Sequence, residues 1–198
     1  GLSVPLGEKT RRYYEQLTRY SAAFALAADV AMLVLGGNLK RCEKISARLG
    51  DVLSQLYLCS AALKRFEDDG RPAGDLPLLH WAIQDALYRI QIALDGVIHN
   101  FPCRVTAFLL RVLIFPMGKN LSPPSDKLGH QVAVLLQQPG AARDRLTAGM
   151  YLPDDEADAV GALEAALHST LQCEPALAKM DAAHKAGQIT AMDELAGI

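Results

Sequence analysis

The chain has 198 residues, 51% of them hydrophobic, and a formal net charge of −2. That length suits one domain with a core of its own, and the composition is too apolar and too weakly charged for a disordered chain. The near-neutral balance gives no electrostatic case for nucleic acid as a partner.

From Glu8 to Leu35 there is no proline or glycine, and alanine and leucine abound, which predicts a long helix. Its first half is basic, with Lys9, Arg11, Arg12 and Arg19. Its second half, "SAAFALAADVAMLVL", is apolar around most of its circumference and is expected to be buried on more than one side. Gly36-Gly37 ends it, and Asn38 is placed to cap a second helix.

That second helix is predicted to run to about Asp69, with Gly70 as its stop. Ile45, Leu49, Val52, Leu56, Cys59, Leu63 and Phe66 advance by alternating steps of four and three, the spacing that keeps a stripe facing one partner helix. Leu53 and Tyr57 are expected to widen the stripe toward a core, with Asp51 and Gln55 opposite. If Gly36-Gly37 folds the two helices antiparallel, Asp29 falls level with Lys44 and near Arg41 and Arg48. An aspartate in an apolar run then predicts an ion pair with one of these cations. The same register carries Arg11 and Arg12 toward Glu67–Asp69.

A third helix is predicted from about Leu78 to Asn100, with Leu79, Ile83, Ala86, Leu87, Ile90, Leu94 and Val97 inward and an Asp85–Arg89 pair. After Pro102, "RVTAFLLRVLIF" continues as a shorter, very apolar helix, and "PMGKNLSPP" reads as loop. Ser125 caps a helix ending near Leu136. Asp154, Asp155 and Glu156 precede one over Ala159–Leu171, and Pro175 opens a last one to about Lys185. No alternating β pattern occurs. The expected fold is all-α: a helical bundle built on a long antiparallel helix pair with shorter helices added, residues 1–198 as one domain and 137–198 as a looser C-terminal subregion.

Two apolar runs fall short of the roughly 20 residues a membrane span needs. Ala22–Leu35 contains Asp29, and Val105–Met117 contains Arg111. Cys42, Cys59, Cys103 and Cys173 lie among apolar helical residues and are expected as buried free thiols. The chain starts Gly-Leu-Ser without a methionine or a signal-peptide pattern, and reads as a piece of a longer chain.

The patterns of site chemistry are mostly missing. Asp181-x-x-His184 is the nearest approach to a carboxylate–histidine metal pair, and His80, His99, His130 and His168 lack ligand spacing. His99 reads instead as a cation near a helix C-terminus. Gly36-Gly37 is no phosphate loop, and G-x-S-x-G is absent. No catalytic, cofactor-binding or metal residue is assigned.

Two features stand out. Lys40, Arg41, Lys44 and Arg48 form a basic stripe at the start of the second helix, and Glu67–Asp69 stand at its end, both against the helix dipole. Such placement suggests compensation by the fold or a partner, with a merely solvated face as the alternative; these four cations, with Arg111, are the candidate interdomain or partner contacts. The second is "VTAFLLRVLIF", for which a core helix, an interdomain or subunit contact, and a membrane surface with Arg111 snorkelling all remain open.

"GGNLKRCEKISARLGDVLSQLYLCSAALKRFEDDGR", then "LPLLHWAIQDALYRI" and "NFPCRV", resembles the C-terminal region of bacterial long-chain acyl-CoA dehydrogenases. "PSDKLGHQVAVLLQQPGAARDRL" and "GMYLP" are similar to later segments of that family. The resemblance implies a parent flavoenzyme of fatty-acid β-oxidation that uses FAD to oxidise acyl-CoA to trans-2-enoyl-CoA and passes electrons to an electron-transfer flavoprotein. Its catalytic glutamate and flavin pocket belong to an N-terminal catalytic core, and nothing in this chain matches the motif around that glutamate. The implied role is therefore a non-catalytic domain packed on its own catalytic core, inactive alone. The implied location is the cytoplasm, with peripheral contact at the inner membrane and homo-oligomerisation left open. A stand-alone helical interaction or dimerisation module is the alternative, and a small complete enzyme a third.

Overall fold

The computed structural model describes residues 8–153, 155 and 157–187. Among them there are seven α-helices and no strand: α1 (Glu8–Leu35), α2 (Glu43–Asp68), α3 (Leu76–His99), α4 (Arg104–Ile114), α5 (Asp126–Gln137), α6 (Ala141–Thr147) and α7 (Ala159–Lys185). The chain divides into two compact units, residues 1–132 and 133–198, with the boundary inside α5. The acidic positions Asp154 and Glu156 lie outside the described residues.

The first unit is organised on α2 and α3, which run antiparallel. Arg48 near the start of α2 lies on Gly96 near the end of α3, while Gln55 and Tyr88 share one concavity further along. The seven stripe positions of α2 are its buried residues, and all seven of α3 are buried too, joined by Gln91 and Ile98. Two apolar stripes at helical period thus close on each other, so the most extensive helix contact is α2 with α3, where the expected long pair was the first helix with the second. α1 packs on both helices, and α4 packs on α3. Gly70 ends α2 with φ +79°, a backbone conformation that favours glycine.

Several expectations are corrected by the packing. Leu53 and Tyr57 do not widen the core stripe of α2; they are 54% and 73% exposed. The second half of α1 buries only one side: Ala27 and Ala31 face inward, while Met32, Leu33 and Val34 stand out to solvent. The stretch Thr10–Arg41 is long and apolar enough to cross a membrane by length and composition, although only 11% of its most apolar window is buried. The apolar run taken alone had read as too short. Asp29 lies on the exposed side and forms no ion pair among the described residues, because a carboxylate left in water needs none.

Glu67–Asp69 are compensated within their own segment rather than by Arg11 and Arg12. Lys64 pairs with Asp68, Arg71 with Glu67, and Arg65 with Asp69 at 3.6 Å, while Arg11 pairs with Glu15. Asn38 does not cap α2, because Gly36–Arg41 forms a 3-10 turn and α2 begins at Glu43 behind Cys42. Of the cysteines Cys59 is buried and Cys42 half-buried, whereas Cys103 and Cys173 are exposed, and all four are free.

A buried glutamine fixes the loop after α4. Gln91 is 2% exposed; its side-chain oxygen accepts from the backbone N–H groups of Asn120 and Leu121, and its amide donates to the Leu121 carbonyl, each at 3.0 Å. On its Oε1 and Nε2 the glutamine thus replaces the partners that water would supply.

In the second unit, α7 continues through Pro175, where two helices had been expected. Proline removes one N–H, but the flanking alanines, leucines, Glu174 and Lys179 favour helix, and the turn around it is largely exposed, so water can take up the freed carbonyl. Asp158 caps α7 by accepting from the Val160 N–H at 2.8 Å. Arg143 of α6 grips both oxygens of Glu164 of α7 at 2.6 Å. That bidentate guanidinium holds the Glu164 carboxyl below its ordinary range. Ser125 accepts from the Leu128 N–H at 3.3 Å, the expected cap of α5.

Candidate functional site

The basic stripe is split between two elements. Lys40 and Arg41 end the 3-10 turn, and Lys44 and Arg48 follow in the first turns of α2. Among the described residues none of the four is ion-paired. Elsewhere in this unit Lys64, Arg65, Arg71 and Arg89 each hold a carboxylate, while Arg12 and Arg104, like the stripe, have no ion pair among the described residues. Arg111 is separated from the stripe and is already engaged, meeting Asp95 at 3.2 Å beside Lys119 at 2.9 Å.

Arg48 is the one cation of the four held in place. It is half-buried, its Nη1 donates to the Lys44 carbonyl at 3.4 Å, and its stem lies on Gly96. A methyl group at position 96 would meet Arg48 Nε at 2.8 Å and Cδ at 2.9 Å. Arg41, Lys44 and Arg48 line one concavity of about 390 Å³ with Asn100 and Pro102, and Glu43 is the carboxylate in its wall. Lys40 stands outside it. Sequence reasoning passed over Gly96; a glycine interrupting a helical pattern was the signal that could have found it.

A second concavity, of about 430 Å³, gathers polar side chains from α1, α3 and the loop that Gln91 anchors. Tyr13 Oη and His80 Nδ1 lie 2.7 Å apart at its edge, with Gln84 Nε2 at 3.5 Å from the same hydroxyl. Sequence reasoning missed this cluster, because the three residues lie on two helices and share no motif.

The apolar surfaces are uncovered to an unusual degree. On α4, Val105, Phe108, Leu109, Val112 and Leu113 follow the i, i+3, i+4, i+7, i+8 rhythm of one helical face and are 49–70% exposed. Leu110 and Ile114 on the opposite face are buried. The helix is therefore apolar on two sides, and this fold covers one. Exposed apolar stripes of this length mark contact surfaces.

A flavin would need a slot walled on both faces of its ring, donors along the ring edge, and a base beside the substrate's α-carbon. Three surface concavities, of about 430, 600 and 390 Å³, are open to solvent and mix charged and amide side chains with apolar ones. Their wall carboxylates, Asp51 and Glu43, are exposed. These walls do not fit a flavin, so no hydride or proton step is derived from them. Among the described residues no group of three or more His, Cys, Asp and Glu side chains could hold a metal ion.

No solved structure matches this chain. The family model described as "Acyl-CoA dehydrogenase, C-terminal, bacterial type" matches residues 1–197, nearly the whole chain. An all-α fold with an uncovered apolar face on α4 agrees with a domain that completes a larger oxidoreductase. The chain belongs to the family of C-terminal domains of bacterial-type acyl-CoA dehydrogenases.

Proposed function

We propose that this domain serves an FAD-dependent dehydrogenase that oxidises long-chain acyl-CoA to trans-2-enoyl-CoA in fatty-acid β-oxidation, with an electron-transfer flavoprotein as acceptor. The domain performs no step of the reaction itself. It packs on the enzyme's own N-terminal catalytic core and stabilises it or closes its acyl channel. The observation that carries this reading is the outward face of α4, five large apolar side chains about half or more exposed in a domain whose family is part of a larger enzyme. Covering that face on assembly would stabilise the enzyme at about 25 cal/mol for each Å² of apolar surface removed from water.

In the complete enzyme, Phe108→Glu combined with Leu109→Glu should lower the melting temperature and long-chain turnover while flavin stays bound. The 198-residue chain alone should be colourless and should not reduce a dye acceptor with palmitoyl-CoA. A yellow preparation of the chain alone, with stoichiometric flavin absorbance, overturns the reading.

A second reading places the α4 stripe on a lipid surface, so that the cytoplasmic enzyme sits peripherally at the inner membrane. Arg104 at the head of the stripe, with no ion pair among the described residues, favours it, because apolar insertion and a cation for anionic headgroups act together. Flotation of the complete enzyme with anionic vesicles, lost in the Phe108→Glu, Leu109→Glu variant, is the result that reading requires.

A further inference from the structure

We propose that the concavity of Arg41, Lys44 and Arg48 is a binding site for a small phosphate-bearing anion, and that Gly96 is the residue that positions Arg48 for it. Three cations share one hollow of about 390 Å³, and none of them has an ion-pair partner among the described residues. Mutual repulsion at such a place is relieved by an anion. Glu43 in the same wall leaves an excess of positive charge, which suits a ligand carrying more than one negative charge.

The placement of Arg48 strengthens the case. Glycine inside a helix is destabilising relative to alanine, and α3 accepts that cost at Gly96. The atoms that an added methyl would meet first all belong to Arg48. The glycine therefore makes room for one arginine, whose stem then lies along α3. A guanidinium held this way loses little freedom when its fork meets two phosphate oxygens. The hollow takes a pyrophosphate or the nucleotide end of a CoA thioester, not a whole acyl-CoA. Both share the phosphate chemistry named here; the CoA source rests on the function proposed above, and the pyrophosphate source does not.

Titration calorimetry on the 198-residue chain at low salt, with pyrophosphate, CoA and dephospho-CoA as probes, tests the site. Saturable binding is expected, weakened about tenfold or more by Lys44→Gln and by Arg48→Gln. Arg48→Lys, which keeps the charge and loses the fork, should fall between. Gly96→Ala should weaken binding likewise while melting no lower than the parent, which separates positioning from folding. Lys64→Gln, at an ion-paired cation, should change nothing. Tighter binding of CoA than of dephospho-CoA and pyrophosphate assigns the nucleotide end of CoA as the ligand, and equal or weaker binding assigns a free polyphosphate. No saturable binding of any probe, or binding indifferent to Arg48→Gln and Gly96→Ala, overturns the proposal. Acyl-CoA oxidation by the complete enzyme is read separately, so failure of the site leaves the dehydrogenase reading standing.

Discussion

Gln91 and Leu121 are bound to each other twice, the side-chain oxygen accepting from one backbone N–H and the amide donating to the carbonyl of the same residue. Replacing Gln91 by leucine keeps most of the volume and removes three hydrogen bonds, including the one from Asn120. Backbone groups left unpaired beside the core cost about 1–3 kcal/mol, so Gln91→Leu should be destabilising despite its greater hydrophobicity. Hydrogen exchange at Asn120 and Leu121 should accelerate more than exchange in the middle of α2. Unchanged protection of these two amides would show that the loop is held by something else.

Leu56 and Leu53 are three residues apart on one helix, the first buried and the second exposed. Leu56→Ala should cost about 2–5 kcal/mol and Leu53→Ala under about 0.5 kcal/mol in the isolated chain. Chemical denaturation of the two variants checks this, and comparable losses would mean that the core stripe has been misplaced.

That stripe was legible because burial in α2 and α3 follows a strict period on one face, and both partners carry the same rhythm. The outer surfaces were not legible for the opposite reason. Leu53, Tyr57 and the outward residues of α4 are as apolar as core residues, and a sequence does not distinguish surface held for a partner from surface held for its own core. Asp29 misled in the same way: an aspartate among alanines suggests a buried pair only if the alanines enclose it, and here they cover one side. For the basic set, the sequence pattern did not show the turn that separates Lys40 and Arg41 from α2, nor the Arg111–Asp95 pair, which forms between two helices. Tyr13 and His80 meet only through tertiary packing.

The thiols should differ in reactivity. Burial pushes Cys59 up to about 11, whereas hydrogen bonds from Thr106 lower the thiol of exposed Cys103 below its ordinary value. Alkylation of the native chain near neutral pH should therefore label Cys103 well before Cys59, with the rate at Cys103 rising at lower pH than for a simple thiol. Mass spectrometry of timed samples reads this directly. Equal labelling of the two would contradict the packing of Cys59 in the α2 stripe.

Acid should weaken the second unit through Glu164. Its carboxyl is held down in the folded state chiefly by the two hydrogen bonds from Arg143, so the folded state binds that proton less readily than the unfolded chain. The resulting stabilisation is present above the unfolded carboxyl's pKa and is lost as pH falls through the folded value. Parent and Glu164→Gln should differ in melting temperature at neutral pH, parent higher, and converge as the pH drops through the carboxylate range. A gap that stays constant with pH would show that the pair does not titrate as described.

Because α4 is apolar on two opposite sides, its eleven residues would answer to two different selections if the outward face docks as proposed. Changes at Leu110 and Ile114 should then act on the domain's own folding, whereas changes at Phe108, Leu109 and Val112 should act on assembly and leave the isolated chain intact. A saturation scan across the helix should accordingly give two waves of the same 3.6-residue wavelength, half a turn out of phase. One wave appears in the yield of folded domain and the other in the activity of the complete enzyme, so a single-readout survey would see only half of what this helix encodes.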